Sequence, residues 1–221
     1  MSYDGRVTPG DAPVTRDAGP ARISKVSVSD MHNNAYLITD KTSGEALLID
    51  AADDWPAISA MIEADGGRVT HIATTHRHWD HVRALRDAVH ATGAHTLAGA
   101  DDADELPVAT DRRLRDGDTV RVGDLTLQVV ALRGHTPGSV AFSFRGTDGF
   151  THLFTGDSLF PGGVGATDHY DYQSFPQLID DVEHRVFGRY DDETWVYPGH
   201  GDDTTLGAER PHLAQWRDRG W

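Results

Sequence analysis

The sequence predicts an α/β fold of two mixed β-sheets packed on each other, with helices on the outside. Short apolar runs of strand character recur along the chain. Each group of runs is followed by a stretch with helical spacing, and this strands-then-helix order occurs twice without a fixed sequence repeat. At 221 residues the chain is long for one small domain and short for two full ones, so the halves read as layers of one compact domain.

Residues 1–20, rich in Pro, Gly and Asp, read as a loose, flexible N-terminal arm, and 21–221 as the domain. "RISKVSV", "NAYLIT" and "EALLID" are strands, the last two joined by a hairpin at "DKTSG". "WPAISAMIEADGG" has helical spacing through Ile58, Met61 and Ile62, and Gly66–Gly67 stop it. A buried strand over 69–75 follows, then a helix through Val82, Leu85 and Val89 closed by Gly93. In the second half, "DTVRVGDLTLQVVAL" gives two strands turning at Gly123–Asp124, and "SVAFSFRGTDGFTHLFTG" a hairpin turning at Gly146–Gly149. A helix over Phe175–Phe187, a strand at "TWVYP" and a helix near Pro211–Arg217 complete the chain.

The bulk composition narrows the function. Thirty-five acidic residues against 20 basic ones leave a net charge of −15. A field of that sign repels phosphate backbones and anionic membranes. There are only two lysines, Lys25 and Lys41, and no basic run beyond Arg112–Arg113, so no nucleic-acid partner is expected. Without cysteine there is no disulfide, thiol nucleophile or thiolate ligand. No apolar run approaches the roughly 18 residues that cross a bilayer, and the first 20 residues lack the apolar core of a secretory signal. A cytoplasmic protein acting on a small molecule is expected, and its oligomeric state is not legible.

Against this background "TTHRHWDH" at 74–81 stands out, with His76, His78, Asp80 and His81 directly after the strand 69–75. His135 in "RGHTPGS", Asp157 in "FTGDSLF" and His200 in "YPGHGDD" also follow strands and open Gly-containing loops. If neighbouring strands run the same way, these loops meet at one edge and gather seven N/O ligands, enough for two metal ions. Imidazoles and carboxylates without thiolate suit a borderline metal such as zinc. In an extended segment His76 and His78 point to the same side, while Asp80 and His81 splay at the start of a helix.

"THRHWDH" matches the T-H-x-H-x-D-H motif of the metallo-β-lactamase superfamily, and the other ligand segments occur in that family's order. The resemblance covers roughly residues 22–215. "NNAYLI", "GHTPGS", "TGDSLF" and "PGHG" look most like glyoxalase II (hydroxyacylglutathione hydrolase) and its relatives. This implies an αβ/βα four-layer sandwich with two Zn2+ per chain at its edge. His76, His78 and His135 would hold the first metal, and Asp80, His81 and His200 the second, with Asp157 bridging. The implied chemistry is hydrolysis by a shared hydroxide that Asp80 would orient. A thiolate leaves almost unaided, whereas an alkoxide or lactam nitrogen usually needs a proton donor, so a thioester or small ester is the expected substrate. His169, Tyr170 and Tyr172 are the side chains that could reach the site as donors.

The sequence departs from the glyoxalase II pattern in its substrate segment. In "GGVGATDHY" Ala166 stands where that family has a basic residue and Asp168 where it has an aromatic. Asp202 replaces the aromatic after "GH", and a chain ending at Trp221 leaves no room for the helical extension that completes a glutathione site. The metal chemistry is expected to carry over and glutathione specificity is not; Gly165, His169 and Tyr170 are the candidate substrate contacts. A mononuclear Fe2+ persulfide dioxygenase, with very similar motifs, is the alternative. His32, His71, His90, His95, His152, His184 and His212 are read as surface or structural, and "DDADE" at 101–105 as solvated loop. "TPG" at 136–138 is a turn or a brace for His135; Asn33–Asn34 serve the site or cap a turn.

Overall fold

The computed structural model describes residues 3–220 and forms a four-layer sandwich of two mixed sheets with outer helices. In the first sheet the strands lie side by side in chain order: β1 (Val14–Ala18), β2 (Ala21–Val28), β3 (Asn33–Asp40), β4 (Glu45–Ile49), β5 (Arg68–Thr74), β6 (His95–Gly99) and β7 (Arg112–Leu114). The pairs from β1 to β4 are antiparallel, and those from β4 to β7 are parallel. Helix α1 (Trp55–Asp65) crosses from β4 to β5 and α2 (Leu85–Thr92) from β5 to β6, as parallel neighbours require.

The second sheet is built from β8 (Thr119–Val122), β9 (Leu125–Ala131), β10 (Val140–Arg145), β11 (Thr151–Gly156), β12 (Trp195–Pro198) and β13 (Thr204–Thr205), in that spatial order. Only β11 and β12 pair in parallel, joined through α3 (Phe175–Asp181) and the π-wound stretch Val182–Phe187. The helix expected over Phe175–Phe187 is therefore one piece with a change of winding. Two short helices, α4 (Leu206–Glu209) and α5 (Leu213–Arg219), end the described chain.

Alternation along the strands makes the layers. Ile23, Tyr36, Ile38, Leu47, Ile49, Phe142 and Phe154 face between the sheets. Leu37, Leu48 and Ile72 face outward beneath Ile58 and Met61 of α1 and Leu85 of α2. Leu153 and Val196 face outward beneath Leu178, Ile179 and Trp216. Caps fix the helix ends: the Asp54 carboxylate accepts from Ala57 N, Ser174 from Gln177 N, and Gly66 takes the left-handed turn that ends α1.

Within the arm expected over residues 1–20, Val14–Ala18 form a strand, which corrects the loose reading there; Met1 and Ser2 lie outside the described residues. Residues 14–18 pair with β2 along their full length, burying Arg16 and Ala18 while Thr15 and Asp17 face outward. The polar composition masked a period-two edge strand. Arg16 pairs with Asp148 at 3.1 Å between the rings of Phe150 and Trp195. Further up the arm, Gly5 O accepts a hydrogen bond from Lys25 Nζ. Lys25 also donates to Gly201 O and to Asp203 at 2.7 Å, and Asp203 accepts from Tyr3 Oη and Trp195 Nε1. His152 is buried between Tyr197 Oη and Asp148, and burial pushes its imidazole down to about 4, so it sits neutral in the sheet.

Candidate metal centre

Strand direction assembles the site. β9, β11 and β12 run the same way, and the segments after them deliver His135, Asp157 and His200 to one edge. Across the interface, β5 ends at Thr74, and the following segment delivers His76, His78, Asp80 and His81, the last two within a 3-10 turn over Trp79–His81. The structure thus brings all seven predicted ligands together. The donor atoms of His76, His78 and His135 lie within 4.8 Å of one another, as do those of Asp80, His81 and His200. Asp157 stands between the two sets. Its Oδ2 is 4.0 Å from His76 Nε2, 3.7 Å from His135 Nε2 and 3.3 Å from His200 Nε2; its Oδ1 is 3.2 Å from His81 Nε2.

The donor set fits a metal. Buried polar atoms normally have hydrogen-bond partners, yet His76 Nε2, His135 Nε2 and Asp157 Oδ1 are buried without one. Two unsatisfied imidazole nitrogens and an unsatisfied carboxylate oxygen form a cluster that a cation would complete. Glycine lets the walls close around it: a Cβ on Gly199 would meet Asp157 Oδ1 at 2.0 Å, and one on Gly165 would meet Asp157 O at 1.9 Å.

The two sets differ electrostatically. Burial pushes His76 and His135 down, and His78 to about 4, leaving neutral imidazoles with available lone pairs. Burial would lower His81 and His200 too, but facing carboxylates outweigh it. Asp157 and Asp50 hold His81 well above its ordinary value, and Asp157 and Asp80 raise His200 to about 10. Burial would raise Asp157 and Asp80; the contacts with His81 and His200 override it and hold both carboxyls well below the usual range.

Residues the sequence reading missed support the ligands from behind. Asp50 accepts from Thr75 N, Thr75 Oγ1 and His81 Nδ1. Its carboxylate also lies within 4.8 Å of donor atoms of His76 and His81, but its oxygens are committed to these contacts. At φ 56 its backbone is left-handed, strain of the kind held at functional sites. Asp50 is the first residue past β4 at the same edge, so the strand-end rule applied once more finds it. The carbonyls of Met31 and Ala166 accept from His200 Nδ1 and His135 Nδ1, and backbone groups carry no sequence signal. Asn33 is resolved as a site residue, donating to Asp80 Oδ2 at 3.0 Å, while Asn34 holds Pro198 O and Gly201 O.

The solvated reading of 101–105 is corrected at Asp102. It is fully buried and accepts from Arg77 N, Thr136 Oγ1 and Gly138 N. It therefore ties the His76–His78 segment to the "TPG" turn after His135. Asp102→Ala is expected to lower stability by about 3 kcal/mol, because three donors lose their acceptor. Denaturant unfolding with an unchanged m-value checks this.

A cavity of about 280 Å³ opens over the cluster, lined in part by His169, Tyr170, Trp79, Met31, Phe160 and Ala166. Gly165 is not part of that lining; its place is the close backbone approach to Asp157.

A family model described as the metallo-beta-lactamase superfamily matches residues 28–200. Hydroxyacylglutathione hydrolases of Fuscovulum blasticum and of Jannaschia sp. strain CCS1 are each 42% identical over 133 residues, 60% of this chain and 50% of theirs. The chain thus spans about half the length of the curated relatives it matches. Among solved structures, ETHE1 from Myxococcus xanthus is 30% identical with a TM-score of 0.77, covering 93% of this chain and 85% of its own. TTHA1623, in a di-iron-bound form, is 31% identical with a TM-score of 0.71, covering 84% and 96%.

Proposed function

The chain belongs to the metallo-beta-lactamase superfamily, and from that premise we propose that it is a cytoplasmic hydrolase of a small-molecule thioester or ester, working with two zinc ions per chain. The observation that carries this reading is the Asp157 carboxylate, which stands between a three-histidine set and an Asp/His/His set. His76, His78 and His135 would hold one ion and Asp80, His81 and His200 the other, with Asp157 shared. Bound there, such ions would supply a hydroxide nucleophile near neutral pH and polarise the scissile carbonyl.

The chain's own groups do the rest. Asp80, its carboxylate fixed by Asn33, accepts a hydrogen bond from the attacking water and so orients it. Asp50 and the Met31 carbonyl keep His81 and His200 turned inward. Of the side chains named as possible proton donors, Tyr172 Oη lies 2.9 Å from His78 Nε2, while His169 and Tyr170 line the cavity. A thiolate needs no proton to leave, so a thioester makes the smallest demand on these groups.

The entrance argues for the carrier. Met31, Trp79, Tyr170 and Tyr172 are the exposed large hydrophobic residues among those described, and all lie at or beside the cavity. No Lys or Arg lines it. The guanidiniums that flank His78 and Trp79 are engaged: Arg77 lies over Tyr172 and 3.6 Å from Asp102, and Arg83 lies over Trp79 and pairs with Asp53. An apolar thioester fits better than one bearing the carboxylates of glutathione. Each missing charge-assisted contact is worth about 1.5–3 kcal/mol, so S-lactoylglutathione is expected to fall roughly 10–100-fold below the best apolar thioester in kcat/KM. A panel assay checks this, and efficient turnover of S-lactoylglutathione would overturn it.

The structural likeness to ETHE1, over 93% of this chain at 30% identity, supports a mononuclear-iron, persulfide dioxygenase-like oxidoreductase as the second reading. Elemental analysis separates the two. Protein purified without added metal is expected to carry about two zinc ions per chain, and one iron per chain would move the assignment to the oxidoreductase.

A further inference from the structure

We infer that Tyr172 is a positioning residue of the centre: its hydroxyl engages His78 Nε2 and so selects Nδ1 as the ring nitrogen offered to a metal. The inference rests on the metal-centre reading above and adds a residue outside the seven ligands.

Each histidine of the three-membered set has one ring nitrogen held from behind. His76 Nδ1 lies 3.0 Å from Thr75 Oγ1, His135 Nδ1 donates to Ala166 O at 2.8 Å, and His78 Nε2 lies 2.9 Å from Tyr172 Oη. For His76 and His135 the opposite nitrogen, Nε2, is the buried atom without a partner. His78 is reversed: with Nε2 engaged, Nδ1 is the atom left. A neutral imidazole offers a lone pair on one nitrogen only while the other carries the proton. Tyr172 Oη, accepting from Nε2–H, holds His78 in the required tautomer and ring orientation, the task such outer partners perform at metal sites.

The hydroxyl is itself held in place. The Tyr172 ring stacks on Tyr170 at 5.1 Å and 7°, and the Arg77 guanidinium lies 4.3 Å from its centroid. Gln173, next in sequence, closes the loop. Its Oε1 accepts from His169 N and Tyr170 N, and its Nε2 donates to His135 O and Ala166 O. One loop, 165–173, thus supplies the outer partner of both His78 and His135 while presenting Tyr170 to the cavity. His78 is the half-exposed member of the set, so without Tyr172 its ring has the most freedom to turn.

Tyr172→Phe deletes the hydroxyl and keeps the stack. The test is competitive Zn2+ titration of native chain and variant, with 15N-histidine spectra recorded at each step. In the variant, the step that moves the His76 and His135 resonances is expected to weaken about 10–100-fold. The step that moves His81 and His200 stays unchanged. In the metal-free variant, His78 passes from one Nε2–H tautomer to a mixture. Unchanged affinity with an unchanged His78 tautomer would overturn the inference and leave the hydrolase reading standing, as would an equal loss in both steps, which marks a merely structural residue. A native chain that binds no Zn2+ at the histidines overturns both readings.

Discussion

Asp157→Ala is expected to empty the centre and abolish turnover while the protein stays folded. Asp157 is the carboxylate that approaches members of both ligand sets: His76 and His135 on one side, His81 and His200 on the other. Removing it deletes a shared ligand, and several kcal/mol of transition-state stabilisation go with it, so kcat/KM falls by roughly 10³-fold or more. The fold has little stake in this side chain. Asp157 lies just past β11, and its loss removes one of the carboxylates that raise His81 and His200, while Asp50 and Asp80 still face them. Metal per chain, kcat/KM on the best thioester and the thermal midpoint decide the matter together. Turnover retained at low metal content would remove Asp157 from its shared position.

The ligand segments were legible because each combines a residue type that water-facing loops do not need with a place at the end of a strand. Strands at one edge then bring 76–81, 135, 157 and 200 together without any one of them being conspicuous alone. β2 to β5 and β9 to β12 announce themselves by sustained apolar runs. β6 and β7 do not: "HTLAG" and "RRL" are too short to show a period, and their parallel pairing is decided by the crossover through α2 and the loop after it. β1 was hidden by polar content, since its inward positions are an arginine and an alanine. Asp50 and Asp102 look like ordinary loop acids, because what distinguishes them is the set of donors that folding delivers from distant segments. The same holds for the carbonyls behind His135 and His200.

The sequence alone gives neither lysine a part, and Lys25 carries the largest stability prediction. Lys25 and Asp203 have fully buried side chains 2.7 Å apart. Burial pushes the ammonium down and the carboxyl up, with each partner opposing the shift of the other. Breaking such a pair from one side leaves an uncompensated charge, so Lys25→Met is expected to cost about 3–5 kcal/mol, or roughly 10 °C of thermal midpoint for a chain of this size. The pH dependence has a definite sign. A carboxyl raised above its unfolded value of about 3.9 favours the folded state while protonated and loses that contribution as pH rises through its folded pKa. In the variant Asp203 moves further up, so the deficit is small in acid and grows toward neutrality. Lys25→Met with Asp203→Leu removes the stranded charge and recovers part of the loss, although Tyr3 and Trp195 then lose their acceptor. Lys25 also donates to Gly201 O, next to His200, so the single variant is expected to retain less metal at the Asp80, His81 and His200 set. A single-variant cost below about 1 kcal/mol at pH 7 with an unchanged m-value would show that the pair contributes nothing net, and that residues 3–5 hold the His200 loop by packing alone.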